Sequence, residues 1–585
     1  MKSFFKMVFA NIVAIIIIAA LFGISLIMMI AASAFSNPSK PNLKDQTVLT
    51  LDFKTNIIDS PAEDNEGIFS LQSNSKNVMI YDMVEAVNRA AKDDKIKGIS
   101  LETDGMQAGL TQLDALRRAL EDFKKSGKFV YAYGNTVSQP AYYLGSVADR
   151  YFLHPAGAID LKGLSMEVMY LKEFADKYGI GLEIIRHGKY KSAVEPYMRN
   201  DMSEENREQL STLLNDVWNT QATKMAASRK LSAEQFKMIT DSLYGAIPEL
   251  CLKYKLTDQL AQKGEYEDFI KNKLQLKEKD KLAQVSFSKY IRTFADDKKG
   301  DGEIGVLYAS GAIYGGEGYD EIYAENFVKD IRKLAKDEKI KAVVLRINSP
   351  GGSANASDEI LFELQELKKK KPLVVSFGDY AASGGYYIAM GADRIYSEPN
   401  TLTGSIGVFG MIPYFKDLAN RNGIHSEAVN TNANSNMYSP VNGVSAGGVA
   451  IMTRSVENTY KRFVHFVTQN RKKSFEAIDE IGGGRVWSGT RAKELGLVDE
   501  LGSLHDAIAF AAKKAKLKDG YGLTTYPKKV NPFDQFFKDM DENQITTRLL
   551  KSRLGAENYR LMEQITQPRF QEGVMMQMPF EIKTR

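Results

Sequence analysis

Hydrophobic positions in the second half of the chain recur at two alternating periods. EIGVLYASGAI (Glu303–Ile313) reads as a strand. AENFVKDIRKLAKD then places Phe327, Ile331 and Leu334 on one helical face. KAVVLRI is a continuous apolar run of the kind that a doubly covered strand needs. SDEILFELQELKKK returns to helical spacing, PLVVSF is a further strand, and ASGGYYIAMGA predicts a short helix. Strand–helix alternation of this kind predicts an α/β fold with mainly parallel pairing.

The N-terminus follows a different pattern. No side chain from Met7 to Phe35 is charged, and Ile15–Ile18 form an isoleucine run. Roughly 20 residues of helix span a bilayer core, so this stretch is long enough. A short tail with Lys2 and Lys6 precedes it, which favours the N-terminus inside and the bulk of the chain outside the cytoplasm. A cleavable signal peptide is the rival reading, with Ala32-Ser33-Ala34 as a small-residue site. The apolar region is longer than the roughly 7–15 residues of a signal core. Residues 1–46 are therefore expected to be a cytoplasmic stub, one transmembrane helix and the polar linker SNPSKPNLKDQ.

The remainder repeats itself. AAKDDKIKGISLETDG (Ala90–Gly105) resembles LAKDEKIKAVVLRINSPGG (Leu334–Gly352), and AYYLGSVADRYFL resembles GYYIAMGADRIYS. Ile96 with Ile340, Asp149 with Asp393 and Gly179 with Gly423 all keep an offset of 244. A constant offset over this distance indicates a duplicated domain. The expected division is 47–290, 300–518 and a C-terminal extension 519–585 with no assigned role.

The halves differ where chemistry is expected. At the common offset Ser383 faces Gln139, and Gly384 faces Pro140, which has no N–H. The SPGG turn at Ser349–Gly352 faces GMQA. Conversely, Lys191 of the first half faces Ser435. Paired across the halves they would give one serine and one lysine. A serine hydroxyl becomes a nucleophile when a neighbour removes its proton. A lysine can do so only when neutral, and its ordinary pKa of about 10.4 must first be lowered by desolvation. A water-excluding domain interface could supply that. Gly352 and Gly384 are the candidate oxyanion donors. Taken singly, Lys191 reads as a solvated surface lysine and Ser383 as a small packing residue; the complementary losses favour the functional reading.

Charge and composition narrow the field. A net charge of +4 over 585 residues carries no basic stripe for nucleic acid. One cysteine, Cys251, excludes an intrachain disulfide framework. The five histidines (His154, His187, His425, His465 and His505) stand in no metal-binding spacing, so neither metal nor cofactor is expected. His187 is near Lys191 in sequence and is a minor candidate. IGGGR (Ile481–Arg485) lacks the ending of a phosphate loop and reads as part of a structural element closing the domain.

YKSAVEP, INSPGGS and ASGGYYIAMGADRI…TLTGSIGV, with the duplicated layout, resemble the two-domain members of the signal peptide peptidase A (protease IV) family. The resemblance covers roughly 48–517. It implies tandem Clp protease/crotonase-like domains and a serine protease that degrades released signal peptides. The lysine of YKSAVEP, Lys191, would be the general base and the serine of ASGGYY, Ser383, the nucleophile. It also implies a single-pass protein of the bacterial inner membrane with its catalytic part outside the cytoplasm, and a homo-oligomer, with a tetramer favoured. The expected substrate is an extended apolar peptide added to a strand edge, with Tyr386, Tyr387 and Ile406 as substrate-binding candidates. Two other readings stay open: an acyl-CoA hydratase or isomerase using the PGG turn, and a non-catalytic membrane scaffold.

Overall fold

A computed structural model describes residues 40–528 except 53–54, 62–75, 103, 106–107, 278, 295–301, 319–320 and 519, together with 574–578 and scattered positions between 6 and 21. The apolar stretch Met7–Phe35 lies almost wholly outside the described residues; among those described, no helix is long and apolar enough to cross a membrane.

Each half is built on a sheet whose strands are nearly all parallel. In the first, the order is Gln259–Leu260, Arg150–Ile159, Phe129–Val137, Ile96–Glu102, Thr47–Leu51 and Gln284–Ser286. In the second it is Val486–Ser488, Leu402–Gly404, Leu373–Ala382, Ile340–Ser349, Glu303–Ser310 and Gly522–Tyr526. Only the contact of Leu402–Gly404 with Val486–Ser488 is antiparallel on that path. Strand Ile340–Ser349 is buried on both faces, as its unbroken apolar run requires. The amphipathic helix Ala324–Lys336 buries Phe327, Ile331 and Leu334.

The repeat is visible in its fixings. Asp149 accepts the Val130 N–H at 2.9 Å, and its counterpart Asp393 accepts the Leu373 N–H at 3.0 Å. Both aspartates anchor a strand, the structural role that their presence in both halves suggests. One boundary differs from expectation. Gly522–Tyr526 pairs in parallel with Glu303–Ser310, so the second sheet runs beyond residue 518 and the extension begins after it. The β-favouring GLTTY covers an edge that would otherwise be unpaired.

A third sheet joins the halves. Its order is Ile322–Tyr323, Ile313–Tyr314, Gly351–Ser353, Met575–Gln577, Val408–Tyr414 and Gly181–His187. The last strand belongs to the first half and pairs antiparallel with Val408–Tyr414 over seven positions, from His187 with Val408 to Gly181 with Tyr414. Polar contacts reinforce the seam. Arg118 binds Glu398 through two 2.6 Å bonds, and Asn400 Nδ2 donates to Asp114 at 2.8 Å. Asp379 of the second half accepts from the backbone N–H and hydroxyl of Thr111, capping helix Leu110–Lys124 of the first.

Candidate active site

Ser383 stands where strand Leu373–Ala382 turns into helix Gly384–Ile388. Its backbone is left-handed, at φ 54° and ψ −115°, a region that L-residues rarely occupy. Two bonds hold it there: its N–H donates to Gly404 O at 2.8 Å, and its carbonyl accepts from Tyr387 N, also at 2.8 Å. The small residues after it are required by space. A β-carbon on Gly384 would lie 2.7 Å from Ser357 Oγ, and one on Gly385 2.7 Å from Ser349 O.

Lys191 follows the joining strand Gly181–His187. The chain turns at Gly188, with φ 97°, and Tyr190 N–H donates to Gly483 O at 3.0 Å. Arg186 donates to Lys191 O at 3.3 Å. The buried Glu195 of the same YKSAVEP segment accepts from Ser203 Oγ at 2.6 Å, fixing the loop to the start of helix Glu204–Ser228. The lysine side chain thus crosses the seam. Its Nζ lies 2.8 Å from Ser383 Oγ, 2.9 Å from Ser405 Oγ and 3.2 Å from Ser405 O.

Lys191 is 0% exposed, and Ser383 and Ser405 are equally buried. Burial pushes the Lys191 amine well below the ordinary lysine range, and loss of hydration is the whole cause. Loss of hydration thus disfavours the charged form of the amine that lies beside the Ser383 hydroxyl.

The remaining predicted residues are distributed as follows. Gly351–Ser353 forms a short strand beside Ser383, and Gly352 pairs with Ile313 on one side and Met576 on the other. A β-carbon on Gly352 would fall 2.1 Å from Ile313 O. Ile406 is buried and its carbonyl accepts from Gly484 N at 2.8 Å, next to Lys191. Tyr386 and Tyr387 do not face a groove. Tyr386 donates to Leu497 O at 2.7 Å and Tyr387 to Asp358 at 2.6 Å, both rings lying in the main core of the second half. The helix after Ser383 runs beneath the sheet and carries them inward. His187 stacks on Tyr460 and makes no bond to either Lys191 or Ser383 among the described contacts.

Two contributors were not singled out from sequence. Ser405 sits inside the TGSIG stretch, but a serine among glycines looks like turn chemistry. Gly484 of IGGGR closes over Lys191 and leaves no room for a side chain, while Gly483 O accepts the Tyr190 N–H beside it. Among the described residues no cluster of ligating side chains could hold a metal.

A model of peptidase family S49 matches residues 122–277 and 365–518, and a Clp protease model matches 297–403. Protease 4 of Salmonella typhi is 37% identical over 82% of this chain and 80% of its own length. Protease 4 of Haemophilus influenzae is 34% identical over 82% and 79% respectively. A chloroplastic serine protease of Arabidopsis thaliana is 31% identical over 80% and 69%. Fold and relatives together define a serine protease on a duplicated α/β frame. The chain belongs to peptidase family S49.

Proposed function

We propose that this protein is a membrane-anchored endopeptidase that degrades extended apolar peptides, released signal peptides among them, with Ser383 as nucleophile and Lys191 as general base. One observation carries the assignment: Lys191 Nζ lies 2.8 Å from Ser383 Oγ in a fully buried setting. A neutral amine has two hydrogens and one lone pair. The oxygens of Ser405 can accept both hydrogens, which leaves the lone pair for the Ser383 hydroxyl.

In this reading Ser383 Oγ attacks the peptide carbonyl as Lys191 takes its proton. The oxyanion is met by the N–H groups of Gly352 and Gly384. Lys191 then protonates the leaving amine, and water hydrolyses the acyl-enzyme by the same route reversed. The peptide adds a strand between Gly351–Ser353 and Val408–Tyr414, where Val194, Phe409 and Met411 make an apolar lining.

Met7–Phe35 supplies the anchor and a position at the bacterial inner membrane, with the catalytic part outside the cytoplasm. A homo-oligomer is consistent with the repeat, and the favoured tetramer is what the family resemblance implies. The pairing of 181–187 with 408–414 has counterparts at offset 244: segments 425–431 and 164–170. Both lack strand pairing in the single chain, and Val429 and Met169 are exposed. Joining 425–431 of one copy to 164–170 of the next would extend the same contact head to tail.

The test is a competition between an apolar signal-peptide fragment, a polyacidic peptide of equal length and a folded domain. Cleavage of the apolar peptide alone, abolished in Ser383→Ala, is expected. Retained activity in Ser383→Ala, or preference for the acidic peptide, overturns the reading.

A further inference from the structure

The glycines of IGGGR lie against Lys191 with no side chain of their own to hold them there. Gly483 and Gly484 have φ 58° and 87°. A β-carbon on Gly407 would lie 2.7 Å from Gly484 Cα and 3.2 Å from Lys191 Cδ, so the lysine stem runs between two glycine backbones. Glycine loses more conformational freedom on folding than any other residue, so such a loop keeps its place only if something outside pins it. The first half, which meets no such lysine, differs at the matching place. VWSG (Val486–Gly489) follows GGGR, whereas LYGA (Leu243–Ala246) follows ITDS.

The pin is a tyrosine. Gly483 N–H donates to Tyr460 Oη at 3.3 Å, and among the described residues no other side chain bonds the backbone of 482–484. Tyr460 stands on helix Ala446–Arg471 and is buried. Its hydroxyl has one proton, which it donates to Asp479 of helix Phe475–Ile481. The oxygen is thereby turned to accept the Gly483 N–H. The chain of bonds continues to the base: Gly483 O accepts the Tyr190 N–H at 3.0 Å, one residue before Lys191. On the other side Gly484 N–H donates to Ile406 O at 2.8 Å, and Arg485 O accepts the Ser405 N–H at 2.7 Å. One loop therefore bonds to both walls of the amine's enclosure, the turn that presents Lys191 and the 405–407 stretch that faces its Nζ.

We propose that Tyr460, oriented by Asp479, is a positioning residue for the Lys191 base, pinning the glycine loop that keeps water from the amine. The proposal rests on the role given above to Lys191. The neighbours of Nζ are uncharged: Ser383 Oγ, Ser405 Oγ and Ser405 O. Charged side chains of the surrounding segments are turned to other partners, Arg186 to Lys191 O and Glu195, and Arg485 to Glu208. Exclusion of water, rather than a neighbouring charge, disfavours the charged amine, so the seating of the loop governs it. Water admitted by a loosened loop moves the amine back toward the ordinary lysine range.

The experiment compares peptide turnover against pH in the full chain and its variants. Tyr460→Phe keeps the buried ring and its stack on His187, with centroids 3.8 Å apart, and removes only the hydroxyl. The rising limb of kcat is expected to move up by about one pH unit, a loss of about 10-fold on the rising side, and to converge with wild type above it. KM should not change. Asp479 is exposed, so Asp479→Leu tests the same bonds without touching the core and should move the limb the same way. Asp479→Asn, whose amide oxygen still accepts from the hydroxyl, should keep the wild-type profile. A limb that stays put in Tyr460→Phe or Asp479→Leu, or that moves in Asp479→Asn, overturns the proposal whatever the melting temperature does, and leaves the assignment of Lys191 standing. An active Lys191→Met, or a wild type with no rising limb, overturns the base and the proposal together.

Discussion

Gly484 and Lys191 meet backbone to backbone: a β-carbon on Gly484 would lie 2.6 Å from the Lys191 Cα. Gly484 also has φ 87°. Gly484→Ala therefore has to displace the loop after Gly181–His187 that presents the lysine. A shift of about 1 Å can cost about 100-fold in rate. We expect kcat to fall by about that factor, with a stability loss of about 1–3 kcal/mol from the left-handed backbone. Peptide turnover and a urea melt of the same sample check both numbers; unchanged kcat would remove Gly484 from the positioning of Lys191.

Lys191→Arg is expected to be as inactive as Lys191→Met. Arginine keeps the charge but cannot supply a neutral base. In the wild type the folded lysine is depressed by burial, so the rate should rise as pH climbs through its folded pKa. Stability has the same sign. Between the depressed folded value and the unfolded one, about 10.4, the unfolded chain binds more protons, and stability rises with pH. Below the folded value the burial penalty is fully present. Lys191→Met should accordingly melt above wild type at neutral pH, and the gap should close toward pH 10. A gap that did not depend on pH would argue against a buried titrating amine.

Ser383→Gly and Ser383→Ala should both be inactive yet differ in stability. Alanine retains the β-carbon that opposes φ 54°, whereas glycine does not. Glycine should be the more stable by about 1 kcal/mol or more. Equal melting temperatures would mean that the turn is relaxed with any residue.

Ser405→Ala removes one of the two oxygens of Ser405 that face the Lys191 amine. Leaving a buried donor without its acceptor costs about 1–3 kcal/mol, so kcat should drop by about 5- to 100-fold with KM little changed. The pH profile should shift as well, since Ser405 orients the lone pair. A loss confined to KM would place Ser405 in binding instead.

Arg118→Met leaves Glu398 buried without its cation. Breaking such a pair typically costs about 3–5 kcal/mol. Burial already raises the Glu398 carboxyl above its ordinary range, so protonation can relieve the defect. The destabilisation should thus shrink at mildly acidic pH, as urea melts at two pH values would reveal. An equal loss at both would point to packing rather than charge.

Much of this architecture was legible because duplication supplies an internal comparison. Ser383 against Gln139 and Lys191 against Ser435 marked which half had kept which group, and the structure brings Lys191 and Ser383 together while Ser435 stays in an exposed loop. Ser405 and Gly484 were hidden because their importance arises only when 405–407 and 483–485 fold against Lys191. Tyr386 and Tyr387 misled for a directional reason: their nearness to Ser383 in sequence says nothing about which side of the sheet the helix takes. The strand at Met575–Gln577 is over 190 residues from Ser383, and no local pattern relates the two.

The shared strand pairing of Gly181–His187 with Val408–Tyr414 makes the active centre a gauge of how well the halves are docked. Each half has its own core, but Lys191 comes from one half and Ser383 from the other. Loosening along the seam would part amine from hydroxyl while both sheets remain intact. Heat inactivation should then precede melting, and the working temperature of the molecule would be set by its internal joint rather than by the stability of either half.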